Sequence, residues 1–70
     1  MRIRISEPAL IGDLLEYFRR NDCVAVQTGS DIVAVSLVDE LPYEAARYAI
    51  GFRLSDWLCD YGDTSAGIID

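Results

Sequence analysis

The chain has no histidine and no lysine. Without histidine there is no Ser-His-Asp triad, no Cys-His nucleophile pair and no imidazole ligand for a metal. Without lysine there is no Schiff base and no P-loop lysine for a nucleotide phosphate. The six basic residues are therefore all arginine, set against 12 acidic ones, for a net charge of −6. An acidic surface repels phosphate backbones and anionic lipid, so neither nucleic acid nor membrane is an expected partner. No apolar run approaches the ~18 residues of a membrane span, and no signal peptide is visible. Cysteine is scarce too: Cys23 and Cys59 stand far apart, without C-x-x-C spacing. They are expected to be reduced thiols in a cytoplasmic protein.

What is present is apolar. Hydrophobic residues make up 51% of the 70, enough for a core and too many for a disordered chain. This length predicts one domain spanning residues 1–70, with little core to spare. Small scaffolds often gain stability by oligomerising.

Arg2–Ile5 alternates strictly, which predicts a strand with Ile3 and Ile5 facing inward. Ser6 is placed to cap a helix, and Pro8 falls in its first turn. From Glu7 to Arg20, Leu10, Ile11, Leu14, Leu15, Tyr17 and Phe18 share one helical arc, opposite Asp13, Glu16, Arg19 and Arg20. Residues 23–28 and 32–38 predict two strands around Gly29-Ser30, a pair suited to a type II′ turn. Val24 and Val26 are expected on the inner face, and Ala25, Gln27, Ala34 and Ser36 on the outer one. A second helix should start near Pro42 and end about Asp60, with Gly62 as its stop. Residues 63–70, with Ile68-Ile69, are either a short edge strand or a frayed tail.

The predicted fold class is α+β. The order β-α-β-β-α, with a final β if the tail pairs, matches a ferredoxin-like split βαβ sheet. Both helices would cover one face of an antiparallel sheet, leaving the other open.

The second helix is the unusual element. Tyr43, Ala46, Ile50, Leu54, Trp57, Leu58 and Tyr61 form one apolar stripe, expected against the sheet. Ala45, Tyr48, Ala49, Phe52 and Cys59 form a second on the opposite side. A helix apolar on two sides is normally covered on both. Ala45, Tyr48, Ala49 and Phe52 are therefore the candidate interface, most simply of a homodimer. The open sheet face is the second candidate, where Arg2, Arg4 and Gln27 would hold a small anionic ligand. Asp56 and Asp60 share a helical face, but the pattern fits no calcium loop, and neither metal nor cofactor is expected. With no general base to serve a nucleophile, no catalytic residue is assigned.

The run from Arg2 to Arg20, RIRISEPALIGDLLEYFRR, resembles the opening of short, uncharacterised proteins found in actinobacteria. Those have a strand, a Ser-Asp-Pro-like turn and a Leu-Leu-rich helix ending in arginines; here Glu7 stands in place of the Asp. Cys23-Val24-Ala25 and the aromatic helix around Trp57 are similar as well. The resemblance is good as far as Val26 and loose beyond. It implies a bacterial, cytoplasmic setting and carries no known activity. The expected function is an interaction module without catalytic activity, homodimeric, with a regulatory domain for an anionic ligand as the alternative.

Overall fold

Alternation makes β1, Arg2–Ile5, whose Ile3 and Ile5 are buried while Arg2 and Arg4 point out. The computed structural model describes residues 1–70. After β1 a 3₁₀ turn at Pro8–Leu10 leads into α1, Ile11–Arg20. Pro8 occupies the turn's first positions, where the missing N–H costs nothing. Ser6 does not cap this helix; its Oγ accepts a hydrogen bond from the Ser65 amide at 2.9 Å and so holds the distal end of the chain. α1 buries Ile11, Leu14 and Phe18 and ends with Arg19 and Arg20, whose charge suits the negative end of the helix dipole.

Asp22 follows in the left-handed region, φ 60°, which the short polar side chain of Asp tolerates better than most. The chain then turns into β2, Cys23–Gln27, and returns as β3, Ile32–Leu37. No glycine has a positive φ, so the type II′ turn expected at Gly29-Ser30 is not formed. Residues 28–31 make a longer loop, closed by the amides of Thr28 and Gly29, which both donate to the Ile32 carbonyl at 3.0 and 3.2 Å. α2 spans Tyr43–Leu58. The tail is not frayed: Ala66–Ile68 forms β4.

The four strands lie in the order β2-β3-β1-β4, every neighbouring pair antiparallel. β3 is thus inserted between β1 and β2, the split arrangement that the element order predicts. Both helices cover one face. Phe18, Leu14 and Ile11 of α1 and Ile50, Leu54 and Trp57 of α2 meet Ile3, Ile5, Cys23, Ala25, Val33 and Val35 in a single core.

β2 is turned over relative to expectation. Its register sets Ala25 opposite Val35 and Cys23 opposite Leu37, so the small residues face the helices and Val24 and Val26 face out. A strand's faces exchange with a single-residue slip, and here pairing with β3 decides the matter. Val33 and Val35 are nearly inaccessible, and whatever lies across from them is carried to the core side.

Candidate functional site

The two apolar stripes of α2 are real, and they part company. Ile50, Leu54 and Trp57 are buried, and Trp57 stacks on Tyr61 with ring centroids 4.4 Å apart. Tyr43 departs from its expected place against the sheet and is exposed. Its hydroxyl donates to the Asp70 carboxylate, which Arg47 also meets at 3.2 Å. These bonds fasten the distal end of the chain to the first turns of α2.

On the other stripe Tyr48 is 78% and Phe52 68% exposed. They lie one helical turn apart, with exposed Ala45 and half-buried Ala49 beside them. The predicted interface residues therefore do share one surface, and nothing within the chain covers the two rings. Beside them a shallow groove runs between α2 and β4, walled by Glu44, Tyr48, Phe52 and Ser55 and floored by Gly51 and Ile68. A Cβ at Gly51 would meet only the Ile68 Cδ1, at 3.9 Å, an ordinary contact. Internal packing thus tolerates alanine at this position.

β4 is the short edge strand that the sequence offers as one of two readings of residues 63–70; which of its backbone groups stay free is set by its register. Ser6 and Ile69 donate to the carbonyls of Ser65 and Arg2, at 2.8 and 2.9 Å, so the hydrogen-bonded pairs of the β1–β4 ladder are Ser6–Ser65, Arg4–Gly67 and Arg2–Ile69. Ala66 and Ile68 sit in the intervening pairs. Their N–H and C=O groups therefore point away from β1, along the plane of the sheet, to the side where no strand follows. That register belongs to the assembled topology; no local pattern announces it.

Arg2, Arg4 and Gln27 do not converge. Arg2 and Arg4 lie on the open face, but Gln27 pairs with Val33 and alternates to the helix side of β2. Its Nε2 donates to the Gly29 carbonyl at 2.8 Å, within its own turn. Arg4 faces Asp31 at 3.6 Å, which supplies the negative charge that an anion would bring. The open face is also more apolar than expected, with Val24, Val26 and Val38 all exposed.

The groups capable of chemistry are quiet. Burial pushes the Cys23 thiol up, and nearby Arg53 offsets this only in part; Arg19 instead donates to the Ala25 carbonyl at 2.8 Å. A protonated, buried thiol is a poor nucleophile. Tyr17 is raised by burial and then by Asp56, and Tyr61 by burial and then by Asp13. Both cysteines are free, with Cys59 exposed. No group of three or more Cys, Asp or Glu side chains lies close enough to hold a metal ion. No helix is long and apolar enough to cross a membrane.

No protein-family model, no curated protein and no solved structure matches this chain.

Proposed function

We propose that this chain is a small interaction module that acts by binding rather than catalysis, and that its partner is a second copy of itself. The observation that carries this is the pair Tyr48 and Phe52, large aromatic rings held in water on a rigid helix. Aromatic residues dominate interface energetics because each removes a large apolar area from water at little cost in rotamer entropy. Ala45 and Ala49 beside them let another backbone approach closely.

Charge opposes a like partner less here than the net charge of the chain suggests. The chain is acidic overall, but Asp70 is answered by Arg47 and Asp31 by Arg4, on either side of β4. Part of the acidic charge beside β4 is thus neutralised within each copy, which lowers the repulsion between two copies meeting there.

Light scattering over a dilution series, at low and high salt, tests the reading. A dimer insensitive to salt is expected, because the contact is apolar. Phe52→Glu should halve the mass while leaving monomer stability within about 0.5 kcal/mol, as for other exposed positions. A wild-type chain that stays monomeric at every concentration overturns it.

A further inference from the structure

The free edge of β4 carries backbone groups that the chain itself leaves unpaired. Ala66 and Ile68 present two N–H and two C=O groups in a row, and no hydrogen bond within the chain reaches them. Such a row is a template for another strand. We infer that the second copy joins there, its β4 antiparallel to this one about a two-fold axis through Gly67, so that the two sheets continue as one. The inference rests on the dimer proposed above and says how that dimer is built.

The register is self-complementary. An axis at Gly67 sets Ala66 opposite Ile68 of the other copy, and Ile68 opposite its Ala66. Each pair exchanges two hydrogen bonds, so every outward group of the short strand finds a partner and none is left over. On the helix side a small residue meets a large one. On the open side Gly67 meets its own copy in a non-hydrogen-bonded pair, where Cα atoms come within about 4.5 Å. Within one chain a Cβ at Gly67 would touch nothing within 4 Å, so internal packing makes no demand for glycine there.

The helices agree with this arrangement. α2 packs on both β3 and β4 and so straddles β1, which lies between them. Across the axis the two copies of α2 then lie three strand spacings apart, about 14 Å at the usual strand separation. Directly packed helices sit closer, at about 8–10 Å. The excess is a slot one aromatic ring wide, above Gly51 and Ile68, and Tyr48 stands at its mouth. An aromatic side chain left in water by one chain is what the slot between two chains needs.

Amide hydrogen exchange on the full chain, above and below the concentration at which it dimerises, tests the inference together with Ala66→Pro. Proline at residue 66 removes an N–H that points away from β1, so the chain's own ladder keeps its bonds. The expected result is protection of the Ala66 and Ile68 amides only in the dimer, and self-association at least tenfold weaker in the variant. A dimer in which both amides exchange freely overturns the joining at β4 and leaves the Tyr48/Phe52 interface standing. Absence of any dimer overturns both. Because the exchange measurement uses the wild-type chain, the test survives if Ala66→Pro fails to fold.

Discussion

The two ends of the sheet are finished differently. At the β2 end, Cys23, Ala25 and Gln27 also turn backbone groups outward, since Thr28 and Val38 take the ladder bonds with Ile32 and Asp22. There Arg19 reaches from the last turn of α1 to the Ala25 carbonyl at 2.8 Å, and the outer face of α1 carries Asp13, Glu16 and Arg20, with Arg20 paired to Glu16 at 2.5 Å. A charged side chain laid on an edge strand is a recurrent device against unwanted pairing. At the β4 end no such guard exists, and the adjoining helix shows Tyr48 and Phe52 to solvent. At one end a side chain covers part of the edge and at the other nothing does, so under the proposed joining β4 is the edge that pairs.

The largest effect is expected in the core beneath the β2 end. Phe18 is fully buried between α1 and the sheet, and Phe18→Ala should cost about 3–5 kcal/mol. In a domain of this size that is most of the stability, so far-UV circular dichroism should show a largely unfolded chain at 25 °C. A cooperative melt close to wild type would mean that the core collapses around the loss.

Arg19→Ala should cost less stability. The Ala25 carbonyl passes to water, at a cost of about 0.5–1.5 kcal/mol for the lost hydrogen bond. The larger consequence is that both edges are then unguarded. Sedimentation should reveal species beyond the dimer, growing with concentration, because chains open at two ends can extend without closing. If the variant associates only as the wild type does, Arg19 is not the guard.

The smallest effect concerns the two thiols. Cys23 is buried under α1 and its thiol is raised by that burial, whereas Cys59 is exposed. An alkylating reagent should therefore label Cys59 in seconds to minutes and Cys23 only on the timescale of opening. The raised group also sets a sign. An acid whose folded value lies above its unfolded one leaves stability intact below the unfolded value and erodes it as pH climbs towards the folded one. Tyr17, Tyr43 and Tyr61 are raised as well, so thermal stability should decline above about pH 8.5, where unfolded thiols begin to ionise. Stability rising over that range would contradict the assignment.

Much of this architecture could be read from residues alone, and the failures have physical causes. The period of α1, the alternation of β1 and the doubled apolar character of α2 are local patterns, and each became the element it predicts. The faces of β2 are not local. Cys23-Val24-Ala25-Val26 alternates cleanly either way round, and the rule that larger residues go inward points to the valines. Beneath α1 the small pair is what allows the helix to sit close, while Val24 and Val26 serve the strand through their β-branched shape on its open side. The same inversion carries Gln27 to the helix side, away from Arg2 and Arg4. Tyr48 and Phe52 were legible because helical periodicity alone puts them opposite the core. The free groups of Ala66 and Ile68 were not, since they depend on which strand ends up last in the sheet.

The pairing of β1 with β4 also sets a timetable. Ile3 and Ile68 are partners across nearly the whole length of the chain, whereas β2 and β3 are joined by a short loop and α1 is local to itself. Closing the longest loop carries the largest entropic cost, and contacts of such separation form late. During synthesis β4 cannot form until Ala66–Ile68 has emerged. A chain whose β4 has not yet docked on β1 has no such edge to offer, so under the proposed joining a copy becomes competent to assemble only after its most distant strands have met.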